Sequence, residues 1–259
     1  MTFWRRKAVG SSGCPWGPFL AVAILMAAAI SDPALAMTLT ERIREVESLL
    51  VEGKYRAARK RAEPLAEEIA QRAGTKESDH RAVGTAVSLL GLAEAGVGDG
   101  DAALWHWAVA RQLRPELASV PLDGYGEAGD RLAELLAAAS PPRTLPSPDV
   151  PEPVTPIPPE RWTSGDDPDL DPAKRLRAPA PQATASMRAA SADEVLVLRF
   201  VLDTDGRLER PEILKSTWPG YAFTTLETMR EEWRFSPVKI RGEPVPAVYV
   251  MTIEHTADN

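Results

Sequence analysis

Apolar and polar positions along this chain follow two different rhythms. Between residues 38 and 140 apolar side chains return every three to four positions, the period of a helix with one buried stripe. From Thr40, the residues Ile43, Val46, Leu49 and Leu50 form such a stripe, which Gly53 ends. Tyr55, Ala58, Ala62, Leu65 and Ile69 carry a second stripe. Pro64 within it predicts a kink or break, because proline lacks the N–H and crowds the preceding turn. Gly74 to Ser78 predicts a turn, with Asp79 as N-cap of a helix running to about Ala95. Gly98-Asp99-Gly100 separates that helix from Ala102 to Leu113, and Pro115 closes the pair. Leu132, Leu135 and Leu136 mark a last helix between Tyr125 and Ala139.

After residue 193 the period falls to two, the signature of a half-buried strand. Val195 to Leu202 reads as a strand with Leu196, Leu198, Phe200 and Leu202 on one face. Asp203-Thr204-Asp205-Gly206 reads as a hairpin turn leading to a second strand, from about Arg207 to Lys215. Tyr221 to Trp233 predicts a helix whose stripe is Ala222, Leu226, Met229 and Trp233. Ala247 to His255 is the final strand, with Tyr249, Met251 and Ile253 sharing a face. The predicted order is strand, strand, helix, strand.

Composition changes the picture between these zones. Residues 141–181 hold 13 of the 24 prolines. Fixed φ angles and missing donors predict an extended spacer of roughly 3.1 Å per residue, without a core of its own. The expected linker is 141–190, proline-rich and disordered, read either as an inert connection or as a docking site for a proline-recognising partner. Asp166, Asp167, Asp169 and Asp171 inside it read as a solvated acidic stretch, because cation-ligand spacing and a glycine turn are missing. Asp203 and Asp205 read as turn residues for the same reason, since Leu214 stands where a calcium loop needs its last carboxylate.

The first residues add a compartment. Arg5, Arg6 and Lys7 precede an unbroken apolar run of 12 residues, Phe19 to Ile30, and Ala34-Leu35-Ala36 is a small-residue cleavage site. This layout predicts a signal peptide over residues 1–36 and export to the periplasm. A helix of that length spans roughly 18 Å, short of the roughly 30 Å hydrocarbon core, so an inner-membrane anchor retained at the N-terminus is the alternative reading. A mature mass starting at Met37 separates the two.

Charge narrows the partners. The net charge is -7, from 30 Lys+Arg against 37 Asp+Glu. Loss of the leader would remove three positive charges and one negative, making it -9 by -7 - 2. An acidic chain gains nothing from counterion release, so nucleic acid is not expected as a partner. Cys14, in the leader, is the single cysteine, so no disulfide, thiol nucleophile or cysteine-ligated metal is expected after cleavage. The histidines are His80, His106 and His255. None stands at a spacing from serine and carboxylate that a hydrolytic motif requires, and HExxH, GxSxG and phosphate-loop patterns are missing. The expectation is a protein that is not an enzyme, with no cofactor and no metal. His106, between Trp105 and Trp107, reads as a structural or surface residue.

Two resemblances sharpen the zones. Leu90, Gly91, Gly98-Asp99, Ala103, Trp107, Ala110, Leu113 and Pro115 stand in the register of one tetratricopeptide repeat, which the segment resembles. Gly91 and Ala103 would lie where two antiparallel helices approach closely, and Trp107 would fill the gap between hairpins. Leu49-Leu50, Gly53-Lys54-Tyr55 and Ala58 resemble a weaker copy, and Tyr125 to Ala139 would cap the stack. Val87 and Glu94 depart from the family, which usually has large aromatics there.

The last 65 residues or so resemble the TonB C-terminal domain. Phe200-Val201-Leu202-Asp203 with Gly206, then Ser216, Trp233-Arg234-Phe235-Ser236-Pro237, Gly242, Pro244 and Val245 carry the likeness. The fold class expected is therefore multidomain: tetratricopeptide-like all-α hairpins over 38–140, the proline-rich linker, and a small α+β (ββαβ) TonB C-terminal-like domain over 191–259. The resemblance implies an exposed sheet edge that accepts an extended peptide, here Val248, Val250, Thr252 and Glu254. The function expected is an exported periplasmic adaptor that binds protein or peptide partners through the helical repeats and this edge. Its partners would be envelope proteins or peptides, outer-membrane transporter segments among them, with a homodimer as a further candidate and the membrane only if the leader is uncleaved. The alternative is a TonB-type energy transducer with an uncleaved inner-membrane anchor, supporting transport across the outer membrane.

Overall fold

A computed structural model describes residues 37–139 and 170–257, and the described residues from Leu39 onward belong to one compact unit. Among them are seven α-helices and small antiparallel sheets, a mixed α+β composition. The leader and residues 140–169, where most of the proline-rich spacer was expected, lie outside the described residues.

Five helices come first: α1 (Leu39–Val51), α2 (Tyr55–Arg72), α3 (Glu77–Val97), α4 (Gly100–Leu113) and α5 (Gly126–Ala138). Each turns its apolar stripe inward. Val46 and Leu50 of α1 are buried, as are Ala58, Ala62, Leu65 and Ile69 of α2. Pro64 sits inside α2 without ending it, so of the expected kink or break the break does not occur. Asp79 is also corrected: it is the third residue of α3, and its carboxylate accepts from the N–H of Gly74 and of Lys76, satisfying donors that the helix start leaves open. Helix α3 is buried around most of its circumference, because α2, α4 and α5 all pack on it. A Cβ on Gly91 would come within 3.3 Å of the Ala103 carbonyl oxygen, so α3 and α4 pack at a distance only a hydrogen allows comfortably.

The second half holds α6 (Ala185–Ala190), α7 (Pro219–Glu232) and eight strands. The principal sheet has the order β4-β3-β8, from β3 (Glu194–Leu202), β4 (Leu208–Lys215) and β8 (Ala247–His255). Its inner face, Leu196, Leu198, Phe200 and Leu202, joins one continuous cluster of buried side chains with Tyr221, Leu226 and Met229 of α7 and the core of the helices. Short strands surround it. β1 (Leu170–Asp171) pairs with β6 (Val238–Ile240), which pairs with β7 (Glu243–Val245), and β2 (Arg175–Arg177) pairs with β5 (Arg234–Phe235).

Two expectations about organisation fail here. The linker does not extend to residue 190. Residues 170–190 form β1, β2 and α6, Met187 is fully buried, and the Pro179 carbonyl accepts from the Trp233 indole at 2.9 Å. Proline density hid this, because strands of two or three residues take their stability from a partner strand and not from a periodic pattern of their own. Nor are the helices and the sheet held apart. Helix α7 packs on α2 and α3, and β4 packs on α4. Gly220 at the start of α7 makes the closest approach: a Cβ there would stand 1.9 Å from the Ala70 carbonyl oxygen. Helix α6 adds two ties to α2, from the Ala185 N–H to Gln71 and from the Ser186 hydroxyl to the Ala73 carbonyl, at 2.9 and 2.6 Å.

Candidate functional site: the two rims of the principal sheet

A three-stranded sheet has two rims, and each presents a row of backbone donors and acceptors that must be paired, covered or hydrated. In this sheet they belong to β4 and β8.

The β4 rim is covered. The Gln112 side-chain amide, from α4, donates to the Pro211 carbonyl at 2.9 Å, and its oxygen accepts from the Ile213 N–H. A carboxamide carries the same donor and acceptor as a peptide unit, so one side chain completes the pairing that a further strand would supply. Pro211 removes one donor from β4 outright, and Arg210, with φ of 51°, bulges the strand where its register against β3 shifts. Each of these devices blunts an edge.

The β8 rim is open. No described strand pairs with its outer side. Its register on β3 runs without a shift from Glu194↔His255 to Leu202↔Ala247. Along an extended strand, successive residues turn their N–H and C=O to opposite sides. The Asp203 N–H donates to the Arg207 carbonyl across the hairpin at 2.9 Å, so the odd-numbered residues of β3 turn toward β4 and the even-numbered toward β8. Gln112 provides an independent check: residues 211 and 213 of β4 turn outward, leaving Glu212 to face Arg199. Carried through the register, Ala247, Tyr249, Met251, Ile253 and His255 pair with β3. Val248, Val250, Thr252 and Glu254 direct their N–H and C=O groups to the open side.

Side chains divide the same way. Val248 and Val250 are 41% and 40% exposed on the outer face, opposite Val201 and Arg199 of β3. Tyr249 stacks on Phe200 with ring centroids 6.1 Å apart, and its hydroxyl accepts from the Ala173 N–H. His255 lies against the Tyr221 ring. A strand added to this rim would meet apolar side chains on both of its faces.

The sheet is tied down at its far end by Glu194, which is buried and accepts from the Ser216 hydroxyl and the Thr217 N–H, both at 2.8 Å, and from the Thr217 hydroxyl. Ser216 thus takes part in holding the end of β4 to the start of β3.

The repeat-register residues lie in the helical interior: Leu90, Ala103, Trp107 and Ala110 are buried, Gly98 is the left-handed C-cap of α3, and Pro115 opens a 3-10 turn. Among them sits His106, which its place between Trp105 and Trp107 predicted to be a structural or surface residue. His106 is 2% exposed. Its Nδ1 lies 2.5 Å from Glu94 Oε2 on α3, and its Nε2 lies 3.1 Å from Glu227 Oε2 on α7. Glu227 also accepts from the Trp105 indole at 3.1 Å. Burial opposes the charged imidazole, but hydrogen bonds to Glu227 and Glu94 and the charges of both carboxylates outweigh it, pushing His106 to about 9. Burial likewise opposes the Glu227 anion, and the bond to His106 with the His106 and Arg230 charges still leaves its pKa lowered. Glu94 in an otherwise apolar run, where a repeat carries a large aromatic, was the signal that could have found this group. His106 wedged between two tryptophans was the other.

Among the described residues no helix is long and apolar enough to cross a membrane. No protein-family model and no curated protein matches this chain.

Proposed function

We propose that this protein is an exported periplasmic adaptor that recruits envelope proteins or peptides by adding their extended segments to the β8 rim. The reading rests on one observation: of the two rims of the principal sheet, β4 is closed by the Gln112 amide and β8 is left with four outward-facing residues and no described strand beside them. Backbone pairing supplies affinity with little sequence demand, and the apolar side chains on both faces of β8 supply selection for β-branched and aromatic partners. The likeness of 191–259 to the TonB C-terminal domain agrees with this use of an edge. On this reading the tetratricopeptide-like helices serve as the platform that carries the sheet, with their remaining exposed surface as a second place for partners.

The test is Val250→Pro in the full chain. Val250 turns its N–H to the open side, so proline there removes a rim donor without removing a bond to β3. Photo-crosslinking from Thr252 in an envelope fraction should label discrete partners with the wild-type chain, and labelling should fall at least tenfold in the variant while its circular dichroism is unchanged. Undiminished labelling by a folded Val250→Pro chain would end the proposal.

A further inference from the structure

Beyond the rim, the contact between the helices and the sheet-bearing half carries its own chemistry. The groups converging on His106 come from every element packed around it. Glu94 is on α3, Glu227 and Arg230 are on α7, and Trp105 is its own neighbour on α4. Arg59 of α2 reaches Glu94 at 3.9 Å and Asp99 at 3.5 Å. Arg230 approaches His106 Nε2 to 3.3 Å and Glu227 to 3.7 Å. The Phe223 ring of α7 covers the imidazole at 6.3 Å.

This geometry has two complete hydrogen-bonding arrangements. With both nitrogens protonated, Nδ1–H donates to Glu94 and Nε2–H donates to Glu227, so an imidazolium joins a carboxylate of the helical layer to one of α7. With Nε2 deprotonated, Nδ1–H still donates to Glu94, but Nε2 becomes an acceptor and only Arg230 can donate to it. Glu227 then loses its tie to the helical layer through His106 and keeps Trp105 and Arg230. The exchange replaces a charge-assisted bond across the interface by a weaker one, and leaves Glu94 and Glu227 facing each other across a neutral ring.

We propose that His106 is a proton-controlled latch that fixes α7, and with it the sheet carrying β8, onto the helical layer, and that loss of the Nε2 proton loosens this contact. Because α7 covers α2 and α3, loosening exposes the buried surface around Ala70 and Trp105, while Gln112 still ties β4 to α4. The device responds to alkaline conditions, since the imidazolium persists to about pH 9. Acidification from neutral pH leaves the imidazolium protonated and so does not release it.

The test uses the full chain and amide hydrogen exchange between pH 7 and 10.5, corrected for intrinsic rates, with the interior of α3 as internal reference. Protection in α7 from Tyr221 to Thr228 should fall at least tenfold relative to α3, with a midpoint near the pH at which the His106 ring carbon shifts titrate by nuclear magnetic resonance. In His106→Gln the α7 protection should already be low at pH 7 and flat with pH. Glu227→Gln, a milder change that keeps the Trp105 acceptor, should move the midpoint down by at least one pH unit. Arg230→Met, which removes the fallback donor, should deepen the alkaline loss. A pH-independent α7 in the wild type, or a His106→Gln chain with the same alkaline transition, would overturn the latch. If His106→Gln does not fold, an unmoved midpoint in Glu227→Gln overturns it equally.

Discussion

The two rims of one sheet are built from the same kind of backbone, yet among the described residues β4 is covered and β8 has no strand on its outer side. β4 is closed by proline, by a bulge and by a side-chain amide from a helix that lies 99 and 101 residues away in sequence. β8 is regular in register, carries no proline and shows valines on its outer face. An edge is ordinarily a hazard that proteins blunt, so on the function proposed above the rim left intact is the one with a use. The contrast also shows that the helical layer does more than stand beside the sheet, because it is α4 that closes the β4 rim.

Gly220→Val should break the contrast most severely. The added side chain collides with the Ala70 backbone carbonyl, which cannot move without disturbing α2. A loss of about 3 kcal/mol in unfolding free energy is expected, the upper end of overpacking costs, and urea titration reads it. A change below about 0.5 kcal/mol, the scatter of surface substitutions, would mean that α7 does not rest on α2 as described.

The pH dependence of stability comes next. His106 is raised from 6.5 to about 9 in the folded chain. Its contribution is therefore fully present below pH 6.5 and is lost as pH rises through about 9, a change on the order of 3 kcal/mol. Denaturant midpoints measured from pH 6 to 10 should fall in the wild type and fall much less in His106→Gln. Identical slopes would assign the dependence to other groups.

Gln112→Ala sharpens the comparison directly. It strips the cover from the Pro211 carbonyl and the Ile213 N–H and should cost about 1–3 kcal/mol, the penalty for leaving buried polar groups unpaired. It also creates a second open rim, so sedimentation should reveal more self-association than the wild type shows. A variant with the stability and sedimentation profile of the wild type would remove the argument that β4 is deliberately closed. Val250→Pro is expected to perturb stability least and binding most, since it alters only the outward side of β8. If it instead unfolds the chain as Gly220→Val does, the assignment of outward-facing residues is wrong.

Much of the local structure was legible from residue order. The final strand appears with the bounds that alternation gave it, Ala247–His255, and β3 differs from the expected Val195 to Leu202 by one residue. Helices α1 to α5 follow their stripes, since a 3.6-residue apolar period has few other solutions. The failures have physical causes. Of the kink or break expected at Pro64 the break does not occur, because packing of Leu65, Ala66 and Ile69 into the core holds the helix through it. β1 and β2 were hidden because two or three residues carry no period. Asp79 stands at the third position of α3 and not at its cap, yet its carboxylate satisfies helix-start donors as a capping residue would.

The amino-acid order alone determined the helical zone, the switch to strands, the hairpin and the identity of the last strand, because these depend on contacts between neighbours in sequence. Only the tertiary structure decided which rim stays open, that the sheet is docked on the helices, and that His106 meets Glu94 and Glu227. Those outcomes rest on pairings 12, 99 and 121 residues apart, the last from 227 - 106. No local pattern encodes them, because a buried ion pair or a side-chain amide on a strand edge acquires its meaning from the element that arrives opposite it.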